Sequence, residues 1–303
     1  ASNGYTYKKV NSGEMSNKGF EVTLSATPIQ TDKFAWYLDW NISRNRNKLI
    51  KLAPGLSRYK VTWDYYANVE LYAIEGRPFG EMYGGNYVYD DAGNRLVDEN
   101  GFYLRSKDKE VLGNINPEFT TGLTNTFTYG NFSLSFTFDY QHGGSYYAGA
   151  YALGMYAGSI RETVANGMRE RDANGPNGQK GVVLDGVVAR VESDGTIVST
   201  GVKNTKAISP KEYGSTFYKG IDAQAIFDAT FLKLRSVSLS YEVPLPETKH
   251  IKGLNFTLSG YNLWTGALAW DGMDPESAIY NQGMGNSSLP TTRSFALSVG
   301  LKL

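Results

Sequence analysis

The chain has no cysteine and only two histidines, His142 and His250, far apart among its 303 residues. Without cysteine there is no disulfide frame and no thiolate metal site. Charge of one sign is also missing, since 30 acidic residues balance 30 basic ones. A net charge of zero supplies no field to draw in nucleic acid, and no nucleic-acid partner is expected. HExxH, GxSxG and GxxxxGK[ST] are all absent, which leaves no zinc-hydrolase helix, nucleophile elbow or phosphate loop. Neither an enzyme nor a cofactor or metal site is expected. No apolar run approaches the roughly 18 residues of a membrane helix. The sequence opens ASNGYTYKKV, without a basic start or an apolar leader, so an exported protein would carry a different N-terminus.

What is abundant is aromatic residues and glycine: 22 Tyr, 14 Phe, 5 Trp and 34 Gly. That combination suits an all-β protein with many turns. Period-two alternation supports it. Over 293–303, Phe295, Leu297, Val299, Leu301 and Leu303 fall on one side of an extended chain, and Ser294, Ala296, Ser298, Gly300 and Lys302 on the other. The spacing predicts strands over 18–29 and 33–46, the second long for a soluble strand, whose usual length is about 5–6 residues. Phe119, Leu123, Phe127 and Tyr129 alternate with Thr and Gly. After the turn at Gly130, Phe132, Leu134, Phe136, Phe138 and Tyr140 alternate with Ser133, Ser135, Thr137 and Asp139. Further strands are predicted over 231–243 and from 254 to about 263. A weaker pair of wall strands is placed between Val69 and Tyr89, and a hairpin at Asp90–Asn94. A short helix is placed within 159–171, and a flexible tip over 171–181.

Connections alternate in length: short after Ile29, long after Arg46, short after Tyr129, long after Tyr140, moderate after Val243, long after Leu263. An antiparallel membrane barrel with short turns at one rim and long loops at the other has this parity. A soluble sandwich has no reason to obey it. Polar lumen-facing residues also explain the low overall hydropathy. Seven to nine wall strands are far fewer than the roughly 22 of a plugged transporter barrel. The chain therefore belongs to a larger barrel, or it closes as a small one with oversized loops.

Six segments carry a family resemblance: NSGEMSNKGFEVTL (11–24), VLGNINPEFTTGLTNTFTYGNFSLS (111–135), TFLKLRSVSLSYEVP (230–244), GLNFTLSGYNLWT (253–265), GMDPES (272–277) and LPTTRSFALSVGLKL (289–303). Together they resemble the C-terminal part of SusC/RagA-type TonB-dependent outer-membrane transporters of Gram-negative Bacteroidota. The resemblance implies that residues 1–303 form the C-terminal portion of a large antiparallel transmembrane β-barrel, with short periplasmic turns and long extracellular loops. Residues 142–229, which match least, would be one such loop. The plug and the first part of the barrel would lie outside this chain. Uptake of oligosaccharides or peptides would be driven through TonB acting on that missing part. The partners implied are a SusD-like surface lipoprotein acting as a lid, the remainder of the same barrel, and outer-membrane lipid. A barrel of this type recruited as a scaffold, without transport, is the alternative.

Candidate contacts to ligand or lid lie in two places. Trp264, Trp270, Asp274 and Glu276 precede the last strand. Aromatic faces stack on sugars or peptides, and carboxylates accept hydrogen bonds. The competing reading makes Asp274-Pro275-Glu276 a turn that fixes the loop, with Trp264 in an interfacial aromatic belt. Tyr146, Tyr147, Tyr151 and Tyr156 could line a ligand path or pack within their own Gly-spaced loop. Asp90, Asp91, Asn94, Asp98 and Asn100 are oxygen-rich but lack EF-hand spacing, which favours a solvated hairpin over calcium.

Overall fold

The computed structural model describes residues 13–63, 68–165, 181–218, 220–246, 251–280, 282–285, 289 and 291–302. The predicted tip at 171–180 and the outward position of Leu303 lie outside them. Seven strands form one sheet: β1 (Glu14–Gln30), β2 (Phe34–Lys51), β8 (Phe119–Tyr129), β9 (Phe132–His142), β16 (Phe231–Val243), β17 (Gly253–Gly266) and β18 (Ser294–Lys302). They pair in chain order, every pair antiparallel, as in a barrel wall that has been opened out.

The alternation read from the sequence becomes two faces. Val22, Ile42, Thr121 and Tyr140 form one outward row, and Leu258 is opposite Leu239 and Leu297 in another. This outward face is bare: Leu24 is 51% exposed, Leu258 56% and Leu297 73%. A bare apolar sheet face is what lipid covers in a membrane barrel. The opposite face is a lattice of hydroxyls and amides. Ser135 lies between Thr126 and Ser238, and Ser238 is opposite Ser259. Thr124 and Thr137 hydroxyls are 3.0 Å apart and those of Ser238 and Ser259 2.8 Å apart.

A side-chain amide also stands on the outward face among the rings. Asn125 shares its row with Leu38 and Phe136, and its Oδ1 accepts a 3.0 Å hydrogen bond from the indole Nε1 of Trp36. The two polar groups satisfy each other where lipid offers no partner.

β1 and β2 run beyond the predicted ends at the long-loop rim, because their polar upper halves keep pairing from Lys18–Arg46 to Glu14–Lys51. Below, Pro28 has no amide to give the ladder, and the register shifts between Ala26 and Ile29. The short turns lie at one rim. Thr31 N donates to Phe34 O, and Gly130, at φ +54°, donates its N–H to Lys33 O and ties two adjacent turns.

The three long connections fold together at the other rim. The first carries β3 (Arg58–Trp63), β4 (Glu70–Ile74), β5 (Glu81–Gly84), β6 (Leu96–Val97) and β7 (Glu110–Asn114). The second carries β10 (Ser145–Tyr147), α1 (Gly149–Ala157), β11 (Val182–Val183), β12 (Val187–Val191), β13 (Ile197–Lys203), β14 (Ala207–Ile208), α2 (Pro210–Ser215) and β15 (Ile226–Asp228). The third carries α3 (Pro275–Tyr280). Their shared core draws on all three: Val69, Leu71 and Met82 pack with Tyr147, Met155 and Phe217, and with Met284.

Several expectations need correction. The strands between Val69 and Tyr89 are β4 and β5, but they belong to a separate four-stranded sheet, β3-β4-β5-β7, because Val69, Leu71 and Met82 are buried in the loop core. The helix placed within 159–171 lies from residue 166 on outside the described residues; α1, just before it, was not expected from the sequence. α1 ends where Gly158 adopts φ +68° and caps it, leaving a 3₁₀ turn at Arg161–Thr163. The described residues of the connection over 142–229 form strands and short helices around a core. The hairpin at Asp90–Asn94 is present: Asp90 Oδ1 accepts from the N–H groups of Ala92 and Asn94, and Asp98 Oδ1 from those of Asn100 and Phe102.

Candidate functional site

The inner face of β16 and the last connection meet in a charged cluster. β16 alternates normally up to Leu234; a bulge then places Arg235 without a partner between Leu234–Phe138 and Ser236–Thr137. The bulge resets the phase, so Phe231, Lys233 and Arg235 face inward before it and Ser236, Ser238 and Ser240 after it. Lys233 is 2% exposed. Its Nζ donates to Asp274 at 2.8 and 2.6 Å and to Glu276 at 2.7 Å. Arg235 spans Asp139, at 2.9 and 2.7 Å, and both oxygens of Glu276, at 2.7 Å each.

Asp274 is also a local cap. Its Oδ1 accepts from Glu276 N at 3.0 Å, and Pro275 occupies the first position of α3. Its Oδ2 receives the Thr291 hydroxyl at 2.7 Å. Burial alone would raise the pKa of Glu276, but hydrogen bonds from Arg235 and Lys233 outweigh it and bring it down to about 2. The cluster therefore fastens the last connection to the wall, and both carboxylates are fully engaged by cations.

Aromatic rings pack behind this latch. Tyr151 stands edge-on to Trp270 at 5.1 Å and to Phe227 at 5.1 Å, and Phe227 stacks on Trp270 at 6.1 Å. Trp270 is buried and its Nε1 donates to Glu162 at 2.9 Å. Tyr146 and Tyr147 are 0% and 2% exposed. The Tyr146 hydroxyl has no hydrogen-bond partner, and burial, with the Asp274 and Asp228 carboxylates nearby, pushes its pKa up to about 12.

Of the seven candidates, the structure gathers Tyr146, Tyr147, Tyr151, Trp270, Asp274 and Glu276 at one corner of the long-loop rim. It leaves Trp264 out. Trp264 lies on β17 opposite Leu234, on the outward apolar face, 48% exposed. Buried Tyr146 and Tyr147 present no surface to a ligand in this chain, and Trp270 reaches one only at a shallow depression lined by Arg161, Glu162, Asp271 and Gly272. Tyr156 does present one, at 51% exposure, with its ring 5.0 Å from that of Tyr218. Sequence reasoning missed Lys233 and Arg235. The signal for them is the phase break in FLKLRSVSLSY, where charged positions are odd-numbered and serines even-numbered.

No family model matches the chain. Among curated proteins it is 24% identical to TonB-dependent receptor P3 of Formosa agariphila, over 96% of this chain and 29% of that protein. It is 32% identical to TonB-dependent receptor SusC of Bacteroides thetaiotaomicron over 143 residues, which are 42% of this chain and 14% of SusC. Among solved structures, that of the RagAB peptide transporter aligns with 99% of this chain and 31% of its own, at 20% identity and a TM-score of 0.62. The chain resembles a stretch of a SusC/RagA-type TonB-dependent receptor. The SusC/RagA-type likeness in structure is one of fold, an all-β barrel wall with an antiparallel sheet. The chain spans under a third of the length of the curated relatives it matches.

Proposed function

We propose that this chain is the C-terminal part of the barrel of a TonB-dependent outer-membrane importer, which takes up oligosaccharides or peptides with a SusD-like lipoprotein over its long-loop rim. The observation that carries the reading is the two-faced wall, apolar and bare outside and hydroxyl-lined inside, in a chain similar over nearly its whole length to TonB-dependent receptors. The RagAB neighbour is a peptide transporter, which makes peptides a natural first substrate to test. Residues 142–229 lie on the extracellular side in this reading, and the chain's transport role depends on a plug and TonB contact outside it.

The ordered loop cap supports a lid partner. Leu56, Tyr59 and Tyr156 on it are 47%, 57% and 51% exposed, and such apolar side chains suit a protein interface. Ligand and lid contacts are assigned to the exposed Tyr156–Tyr218 pair and to the edge of Trp270. Tyr151, Asp274 and Glu276 act behind them by holding the loop.

Uptake of labelled peptides and of labelled oligosaccharides by cells carrying the full-length protein tests this. Energy-dependent accumulation of one class, lost when the TonB-contacting segment is deleted, is the expected result. An unchanged growth and uptake phenotype after that deletion would favour a scaffold without transport.

A further inference from the structure

On the inner face of the wall, Lys233 and Arg235 are compensated by Asp139, Asp274 and Glu276. On the outer face, four cations have no counter-charge among the described residues. Lys18 on β1 and Arg44, Arg46 and Lys48 on β2 continue the outward rows that carry Phe20, Val22 and Leu24 and Leu38, Trp40 and Ile42 below them. Register sets Phe20 opposite Arg44, Lys18 opposite Arg46 and Ser16 opposite Lys48. All four cations are exposed, and among the described residues none enters an ion pair. Glu21 belongs to the inner face, where it accepts from the Ser43 hydroxyl, and Glu14 lies at the strand end in register with Lys51.

Like charges directly opposite each other destabilise an antiparallel pair. The same wall shows what it does elsewhere: its other polar cross-strand pairs are complementary, as with Ser25 and Asp39 at 2.5 Å or Ser240 and Thr257 at 2.8 Å. Lys18 opposite Arg46, with Arg44 and Lys48 in the next outward positions, concentrates four positive charges in one patch of the outward face. From Arg44 to Lys48 it spans about 13 Å at the usual strand rise of about 3.3 Å per residue. It starts at the first outward position above the apolar band, the level of a lipid headgroup on the long-loop side. Beside it on that face the rings of Phe119, Tyr140 and His142 form a ladder, with Phe119 5.9 Å from Tyr140 and 5.3 Å from His142. A shallow apolar groove lined by Trp40, Leu123, Phe138 and Leu232 runs below. Cations above and groove below match an amphiphile with an anionic head. Two arginines favour phosphate, which takes the guanidinium fork bidentately.

We infer that Lys18, Arg44, Arg46 and Lys48 bind the phosphorylated headgroup of a membrane lipid in the leaflet on the long-loop side, with its acyl chains on the apolar band below. The inference rests on the outward face being lipid-facing. The test uses the full-length protein in detergent. It is incubated with an equimolar mixture of an acylated glucosamine-disaccharide phosphate and its dephosphorylated form, re-purified, and the retained lipids are quantified. The wild type should retain the phosphorylated form at least about tenfold more than the other, as expected when several cations each add to headgroup attraction. Lys18→Gln/Arg44→Gln/Arg46→Gln/Lys48→Gln should lose that preference while keeping the heat-dependent gel mobility of an assembled barrel. If the quadruple variant fails to assemble, Arg44→Gln/Arg46→Gln should show a partial loss. Equal retention of both lipids by the wild type, or an unchanged preference in the assembled variants, would overturn the site. So would displacement of the lipid by an equal concentration of inorganic phosphate. Loss of a co-purifying lipoprotein with lipid preference intact would reassign the patch to a protein. A full-length protein that stays folded without detergent would remove the membrane wall itself, and this site with it.

Discussion

A lysine in a barrel wall, nearly sealed from solvent, is costly unless its charge is met, and Lys233 is met by two carboxylates from a different connection. Removing one member of such a group leaves the others buried and uncompensated, at about 3–5 kcal/mol. Lys233→Met should therefore loosen α3 from the wall, and hydrogen exchange of the amides over Pro275–Tyr280 should speed up, with the wall strands unaffected. Protection identical to wild type would show that the latch is ornamental. The same latch has a pH dependence. The pKa of Glu276 is lowered in the folded state, from the ordinary glutamate value of 4.5 to about 2. Its contribution is thus fully present above about pH 4.5 and is lost as the pH falls toward 2. Protection of α3 should fade across that acid range and not between pH 6 and 8. On the outward face, Trp36→Phe should cost about 1–3 kcal/mol by leaving the Asn125 amide unpaired against lipid, while Trp36→Phe/Asn125→Leu should recover most of it. Additive losses in unfolding midpoints would contradict the pairing. Asn125 was invisible as a lipid-facing residue in the sequence, because an amide at an apolar position reads as a fault in the pattern until the indole four strand positions from Trp40 is seen to satisfy it.

Among the elements, the wall strands were the most legible. A period of two needs no knowledge of neighbours, so β8, β9 and β18 emerged within a residue or two of their ends. The upper halves of β1 and β2 did not, since polar residues alternate with polar residues there and only the pairing shows a strand. The bulge at Arg235 was readable only as a phase change, and its purpose depends on Glu276, 41 residues away, which no local pattern can place. The faces themselves make a prediction. Phe136→Arg, mid-band on β9 and facing outward, should cost about 2–4 kcal/mol in barrel assembly. Ser135→Arg, next to it and facing inward, should be tolerated. Equal assembly of both, followed by heat-dependent mobility, would show that the orientation assigned to the wall is wrong.

For the whole molecule, the parity of short and long connections carried the architecture, and it holds: three long connections gather at one rim of an antiparallel sheet. What parity could not convey is that they share a core. Val69, Tyr147 and Met284 come from three separate connections, and each segment alone reads as Gly- and Tyr-rich loop. That is also why Tyr146 and Tyr147 looked like ligand contacts: aromatic residues spaced by glycine signal a surface or a core equally well until their packing partners arrive from elsewhere in the chain. In the proposed function, this chain is one stretch of a larger membrane barrel working beside a lipoprotein. Native mass spectrometry of the detergent-purified complex, with peptide mapping of each component, tests it most directly. The expected result is this sequence within a far longer polypeptide, or held to one, together with a lipoprotein. A species of 303 residues flying alone and folded without detergent would contradict it.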